Sequence, residues 1–335
     1  MVVRQKDYAV SFARLIAMVC VVTGHFAQYY GSVLAWVLNF CVKMFLFISG
    51  YLYSEKEISN CLTFYGKTAR KLLPDYYIYA LAFIALTALP GGVAPDASVV
   101  FNLLIIKEFP PEVGQFWFIP YILLCYALLP LFQKVLDEID RHSGAAYLLR
   151  CAGLFCVVEI LIRNFFPYFL PVWIDSFLMG MLVCRCRKKQ PALCRGLVGS
   201  MGVLCPVTVV LLVWLSITHL NSFSPAQFSL YVELFHYSHM LLGICVVLFI
   251  IRIFPPFDRL PSALTSVLDW SDKYSYDIYI VHNLFIQGTY SVLNLVQSRA
   301  AGIFLACLLT LISGLLLNRI SGACRKKLFP QKISA

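Results

Sequence analysis

Arg14 and His25 are the two residues whose types and spacing most suggest chemistry, and both fall in one apolar stretch, eleven residues apart. At about 100° per residue, a helix places residues at this interval within about 20° of the same face and roughly 16 Å apart along its axis. Histidine has an unperturbed pKa of about 6.5, so its neutral ring can take a proton from a hydroxyl group near neutral pH. The spacing therefore predicts one helix that presents a cation and a base along a single stripe.

A second candidate site is a cationic cluster formed by Lys67, Arg70 and Lys71, which stand just before Pro74. These side chains could hold a polyphosphate ligand through charge-assisted hydrogen bonds, since the sequence has no glycine-rich phosphate loop. The alternative is that the cluster reflects the usual excess of cations on the cytoplasmic side of a membrane, or binds anionic lipids. Position alone favours this alternative.

The composition indicates that these residues lie in a membrane protein. Of the 335 residues, 60% are hydrophobic and 13% are charged, and the mean hydropathy is +0.79. Soluble domains carry roughly 25% charged residues, so the composition excludes a water-soluble enzyme. The net charge of +10 does not indicate nucleic-acid binding, because the cations lie in short loops between apolar runs rather than on one polar face.

Ten apolar runs in the sequence approach the length needed to cross a hydrocarbon core of about 30 Å, which takes roughly 20 helical residues. We therefore predict an all-α integral membrane protein, with residues 1–335 forming a single polytopic domain of about ten transmembrane helices. The predicted spans are residues 10–28, 34–52, 74–89, 116–132, 145–162, 168–183, 197–218, 237–251, 276–296 and 302–320.

The distribution of lysine and arginine predicts the orientation in the membrane. With the N-terminus in the cytoplasm, 21 of the 27 Lys and Arg residues lie on the cytoplasmic side, three on the outer side and three within spans. Both termini are therefore predicted to be cytoplasmic, in agreement with an even number of spans. The 13 cysteines are scattered over spans and cytoplasmic loops, so we expect neither a disulfide framework nor a metal site.

Few ionisable side chains lie at membrane depth, and each is a functional candidate because charge is costly to bury in a bilayer. Lys43 is one of them, and a carboxylate such as Asp175 or Glu159 is its expected partner. Arg14 and His25 have a second explanation, in which the guanidinium reaches the cytoplasmic surface and the histidine lies at the outer interface. The full set is Arg14, His25, Lys43, Arg150, Glu159, Asp175, Asp277 and His282.

Four segments, in order along the chain, resemble the signature motifs of the acyltransferase family 3 membrane proteins, which O-acylate sugars and glycans. The first runs from Arg14 to His25 and has the family's eleven-residue interval between arginine and histidine. The second, residues 44–52, is similar to the family's Phe-rich Ser-Gly motif. The third is the aromatic segment 115–118, and the fourth is the segment 275–282. The resemblance covers most of the chain.

The sequence departs from the family pattern at the cationic cluster. The family usually places two arginines, three residues apart, before the proline that starts its third span. Here Arg70 is the one arginine, and it is flanked by Lys67 and Lys71. Lysine keeps the positive charge but loses the bidentate geometry of a guanidinium group.

The resemblance implies an O-acyltransferase, in the simplest form an O-acetyltransferase, that takes an acyl group from cytoplasmic acetyl-CoA or another acyl-coenzyme A. The acceptor would be a hydroxyl of a glycan or lipid-linked sugar. His25 would act as general base, or would relay the acyl group through a covalent form. Arg14 and the cationic cluster (Lys67, Arg70 and Lys71) would bind the coenzyme, with its phosphates on the cluster. Residues that would shape the cavity are Ser49, Trp117, Tyr276, Tyr279 and His282.

The same resemblance implies a multi-pass protein of a bacterial inner membrane, in contact with membrane lipids and with no role in nucleic-acid binding. Two alternatives remain open from the sequence. Ten spans with buried charge also suit a transporter or flippase of a glycan or small metabolite. The other large family of membrane-bound acyltransferases also uses an intramembrane histidine, and His282 would be its counterpart here.

Overall fold

A computed structural model describes residues 6–88, 96–104, 106, 109–166, 168–217, 224–256 and 259–329. Over these residues the regular structure is entirely helical, which confirms the all-α prediction. Short 3-10 helices cover Pro111–Trp117, His282–Phe285 and Val292–Asn294. The α-helices are α1 (Tyr8–Tyr29), α2 (Leu34–Val37), α3 (Phe40–Tyr53), α4 (Cys61–Thr87), α5 (Ala97–Leu104), α6 (Phe118–Ile139), α7 (Gly144–Phe165), α8 (Pro171–Lys189), α9 (Pro191–Ile217), α10 (Pro225–Ile253), α11 (Ser262–Val281) and α12 (Arg299–Leu328).

Seven helical segments among the described residues are long and apolar enough to cross a membrane. They are Tyr8–Tyr29, Leu34–Tyr53, Glu112–Ile139, Gly144–Phe165, Pro191–Leu215, Gln227–Ile253 and Arg299–Leu328. The predicted spans at 74–89, 168–183 and 276–296 are not among these seven. A multi-pass membrane protein is thus supported, whereas the count of about ten spans and the cytoplasmic termini stay predictions.

The third and ninth predicted spans have different boundaries in the structure. Helix α4 begins thirteen residues before Pro74, because the Asn60 side chain accepts a hydrogen bond from the backbone N–H of Thr63 at 2.9 Å and caps the helix there. The segment 276–296 is not one helix, since α11 ends at Val281 and 3-10 turns follow. Gly288 lies in this stretch with a φ of 74°, a backbone conformation that a continuing helix does not allow.

The chain divides into two compact units, neither of which is continuous in sequence. Unit 1 consists of Met1–Glu57 and Ala127–Asp269, and unit 2 of Ile58–Tyr126 and Trp270–Ala335. The assignment of residues 1–335 to a single domain stays a prediction.

Unit 1 is built around a close crossing of α3 and α8. A Cβ atom on Gly50 would lie 1.9 Å from the carbonyl oxygen of Phe177, and a Cβ atom on Gly180 would lie 2.0 Å from that of Phe47. Gly243 of α10 meets the same helix, where a Cβ atom would lie 2.9 Å from the carbonyl oxygen of Phe40. Small residues allow membrane helices to approach until their backbones touch. The glycines therefore fix how α8 and α10 pack on α3.

Unit 2 is held together by polar contacts between α4, α11 and α12. Arg325 of α12 forms an ion pair with Asp75 of α4 at 2.8 Å and donates to the backbone oxygen of Lys71 at 3.2 Å. Nearby, Asn318 donates to Asp277 of α11 at 2.8 Å. These contacts connect the C-terminal half of α12 to the middle of α4 and to the C-terminal part of α11.

Replacing Arg325 with glutamine is expected to lower the free energy of unfolding by about 3 kcal/mol, because it leaves a buried carboxylate without its cation. The side chain of Asp75 is only 3% exposed. Thermal unfolding in detergent would measure the loss. Arg319→Gln removes the same charge from an exposed position on the same helix, and we expect no measurable change. Equal effects of the two substitutions would contradict a specific role for the ion pair.

Candidate active site

Helix α1 of unit 1 carries both Arg14 and His25 in one uninterrupted stretch, as the sequence predicts. Its N-terminus is capped by Asp7, whose side chain accepts the backbone N–H groups of Ala9 and Val10. Both Arg14 and His25 are half-buried. Eleven residues of regular helix separate them by roughly 16 Å on nearly the same face. The structure therefore places a cation and an imidazole along one stripe of α1.

The surroundings of His25 restrict how its ring can turn. The side chain of Gln28, one turn later on the same helix, lies within hydrogen-bonding reach of the ring. The hydrogen bond made by one ring nitrogen sets which tautomer the imidazole adopts. On the preceding residue, a Cβ atom added to Gly24 would lie 3.6 Å from the Cβ atom of Leu38, which is an ordinary van der Waals distance. The imidazole of His25 therefore has one side-chain partner on its own helix.

The Phe-rich Ser-Gly motif lies on α3, where Ser49 is half-buried and precedes Gly50 at the contact with α8. Met44, Leu46, Phe47 and Ile48 of the motif are in the core, and Phe47 and Leu46 are fully buried. The motif therefore forms the contact between α3 and α8, and Ser49 directly precedes the glycine at that contact. The cavity-shaping role predicted for Ser49 stays a prediction.

Lys43 directly precedes this motif and is fully buried. Its Nζ lies 3.5 Å from the centre of the Trp173 ring and has no hydrogen-bond partner among the described residues. The expected carboxylate partners are engaged elsewhere: Asp175 accepts from Tyr237 at 3.1 Å, and Glu159 pairs with a neighbouring arginine. The expectation of a carboxylate partner was therefore wrong. The face of an aromatic ring takes its place, through a cation–π interaction.

In unit 2, the predicted aromatic residues meet around the end of α11. Gln115 donates to the backbone oxygen of Ile280 at 2.6 Å, and the Tyr279 hydroxyl donates to the backbone oxygen of Gln115. His282 is fully buried, and its Nδ1 lies 2.7 Å from the backbone oxygen of Tyr279. Trp117 is half-buried, with its ring edge-on to Tyr121 at 5.6 Å. The segments 115–118 and 275–282 therefore form one connected cluster, and His282 belongs to its packing.

The cationic cluster lies within α4, also in unit 2, rather than ahead of a helix. Lys67, Arg70 and Lys71 are exposed, and their spacing of three and four residues places them on one face of the helix. The guanidinium of Arg70 lies 4.7 Å from the centre of the Phe329 ring. Close by, the Tyr276 hydroxyl donates to the backbone oxygen of Leu72 at 3.0 Å. The cluster belongs to unit 2, whereas Arg14 and His25 belong to unit 1.

Arg185 is not distinguished in the sequence from the other cations that are predicted to be cytoplasmic. In the structure it is 7% exposed and forms ion pairs with Asp137 of α6 at 2.6 Å and with Asp140, directly after α6, at 2.9 Å. It also donates to the backbone oxygen of Ser54 at 3.3 Å. The partners lie about 45 and 130 residues away in sequence, so local spacing could not reveal them.

Comparison with known proteins identifies the family. A family model described as an acyltransferase domain matches residues 7–319, nearly the whole chain. The chain belongs to acyltransferase family 3. No curated protein and no solved structure matches it. Membership of this family, together with the apolar helices, makes the protein a membrane acyltransferase and supports the enzyme interpretation over the transporter.

Within this family 3 acyltransferase, the four motifs have distinct places in the structure. The first places a half-buried guanidinium and a half-buried imidazole on α1, and the second makes the glycine contact between α3 and α8. The third and fourth bond to each other in unit 2 through Gln115 and Tyr279. Among the four, the first motif is the one that places a cationic side chain and an imidazole along one helix face, so it is the candidate for the chemistry.

Proposed function

We propose that this family 3 acyltransferase transfers an acetyl group from acetyl-CoA to a hydroxyl of a glycan or lipid-linked sugar, with His25 as the general base. The observation that carries the proposal is the pairing of Arg14 and His25 along one face of α1, with Gln28 in reach of the imidazole. A bacterial inner membrane is the proposed location, where acetyl-CoA is available on the cytoplasmic side.

The proposed reaction needs one proton acceptor and no redox step. His25 takes the proton from the acceptor hydroxyl, whose oxygen forms a bond to the thioester carbonyl carbon. The carbon–sulfur bond then breaks, and the departing thiolate takes the proton back from the imidazolium. The products are an O-acetyl ester and coenzyme A with a free thiol. A neutral imidazole is suited to both proton transfers near neutral pH.

The cations have a supporting role in this proposal. Arg14 lies roughly 16 Å from the base along the helix axis, a separation that suits a long pantetheine arm with a thioester at one end. A guanidinium there would bind a carbonyl or phosphate oxygen of the coenzyme. A role of Lys67, Arg70 and Lys71, which are exposed on α4, in binding the phosphates of the coenzyme stays a prediction of the family resemblance.

Transfer and transport can be separated with the purified protein in liposomes. We expect label from radiolabelled acetyl-CoA to appear as an ester on a candidate polysaccharide or lipid-linked sugar. Liposomes without protein, and liposomes that contain the His25→Ala variant, are the controls. Movement of the glycan across the membrane without coenzyme A would support the transporter or flippase instead, and ester formation that needs His282 but not His25 would support the other membrane acyltransferase family.

Gln28 is proposed as a positioning residue for His25. Replacing it with alanine is expected to lower kcat about threefold to tenfold and to leave KM for acetyl-CoA unchanged, because one hydrogen bond that orients the ring is lost. Gln28→Glu keeps a side-chain oxygen at the same place and is expected to recover part of the rate. The pH profile of kcat should change in the alanine variant. A loss of thermal stability with an unchanged kcat would show that Gln28 has only a structural role.

A further inference from the structure

A groove of about 520 Å³ in unit 1 contains a set of arginines that the proposed reaction does not use. Arg187, Arg195 and Arg252 line it, together with Tyr51 and with apolar side chains that include Val183 and Leu248. The lining comes from α3, α8, α9 and α10, so residues far apart in sequence meet there. No acidic residue is among the described residues that line the groove.

Two cations of α8 outside the groove have acidic partners, whereas two of the arginines that line the groove do not. Arg185 pairs with two aspartates, and Lys188 pairs with Glu55. In contrast, Arg195 and Arg252 form no ion pair with any residue in the described part of the chain. Arg185 and Lys188 outside the groove are therefore neutralised by acidic partners, whereas Arg195 and Arg252 inside it are available to a ligand.

The third arginine of the groove is partly engaged. Arg187 donates to the Tyr51 hydroxyl at 3.1 Å. Asp7 also interacts with it electrostatically, although the Asp7 carboxylate already accepts two backbone N–H groups of α1. Three guanidinium groups around one concave surface repel each other, and a bound anion would remove that repulsion. The arrangement thus favours an anionic ligand.

The shape and the lining indicate what kind of anion fits. Guanidinium groups match the oxygens of a phosphate through paired hydrogen bonds. Helix α9 begins at Pro191, which also lines the groove, and a helix N-terminus attracts negative charge. The apolar side chains require that part of the ligand be apolar, and the volume is in the range of small-molecule sites. A phosphate attached to a less polar chain satisfies all of these conditions.

We propose that the groove lined by Arg187, Arg195 and Arg252 is a binding site for an amphiphilic organic phosphate. Two kinds of molecule on the side that the sequence predicts to be cytoplasmic combine a phosphate with a less polar chain. One is coenzyme A, whose phosphates are joined to a pantetheine arm, and the other is an anionic phospholipid. In the first case the inference rests on the proposed function, and unit 1 carries a phosphate site in addition to Arg14 and His25. In the second case the site is independent of the donor.

Binding to the full-length protein in nanodiscs of phosphatidylcholine tests the proposal. The binding of free coenzyme A, which has no acyl group to transfer, is measured by calorimetric titration. The binding of added phosphatidylglycerol is measured as the amount that remains bound to the protein after purification. We expect Arg195→Gln and Arg252→Gln each to lower the affinity of the protein for one of these two ligands about tenfold. Lys189→Gln removes an exposed charge from the same region outside the groove and is expected to change binding less than about twofold.

The outcomes identify the source and separate this inference from the proposed function. Weaker coenzyme A binding assigns the groove to the donor, and weaker phosphatidylglycerol retention assigns it to a lipid headgroup. If neither ligand is affected by either arginine variant, the proposal is overturned. His25→Ala is expected to bind both ligands as the wild type does. A protein that binds phosphates through these arginines but transfers no acetyl group would refute the proposed function and leave this inference intact.

Discussion

Replacing Gly180 with valine is expected to prevent unit 1 from forming its native packing. Even the first added carbon would lie 2.0 Å from the carbonyl oxygen of Phe47 and 2.8 Å from the backbone nitrogen of Tyr51. Backbone atoms cannot move aside as a flexible side chain can, so α3 and α8 would have to separate. We expect the variant to be lost to aggregation after detergent extraction, as measured by size-exclusion chromatography and thermal unfolding.

Gly153→Val is the matched control, because Gly153 lies inside α7 and an added Cβ atom there meets nothing within 4 Å. Both substitutions place a β-branched residue in a helix, so any general cost of valine is the same for the two variants. We expect the control to elute and melt as the wild type does. A Gly180→Val variant with wild-type elution and melting would contradict the close crossing of α3 and α8.

Replacing His25 with alanine is expected to reduce acetyl transfer about a thousandfold, since a positioned general base contributes roughly 10² to 10⁴ to a rate. Binding of coenzyme A should stay within about twofold, because the proposal gives the imidazole a role in proton transfer and not in holding the donor. The initial rate of ester formation and the calorimetric Kd for coenzyme A measure the two effects separately.

The control for this variant is His142→Ala, which removes a histidine from the turn between α6 and α7. We expect it to keep the wild-type rate. Equal losses in both variants would point to a general effect on folding. A His25→Ala variant with the wild-type rate would show that another group accepts the proton, and His282→Ala would then be the next variant to compare.

The sequence was sufficient to predict the features that depend on local pattern. The apolar stretch around Arg14 and His25 forms one helix with the predicted spacing, because a long and mostly apolar stretch without proline favours a continuous helix. The order of the four motifs also led to the correct family, which the match over residues 7–319 confirms. Long apolar segments such as Gly144–Phe165 were found within a few residues.

The features that the sequence did not reveal depend on caps and on contacts between distant residues. Helix α4 extends back to Cys61 because Asn60 caps it, and the apolar run used for the prediction starts only at Pro74. Lys43 rests on Trp173, and no rule of spacing connects residues on α3 and α8. In the sequence, the groove arginines have the distribution expected of cations on the cytoplasmic side of a membrane protein. The structure shows that three helices bring them to one groove.

The most direct test of the proposed mechanism is the ratio of coenzyme A thiol released to ester formed in the same reaction. Purified protein in liposomes is given acetyl-CoA and a hydroxyl acceptor, and the free thiol released is measured beside the ester formed. The proposal predicts one thiol released for each ester in the wild type, and release of both about a thousandfold slower with His25→Ala. Equal amounts of thiol and ester from the His25→Ala variant, at the wild-type rate, would contradict it.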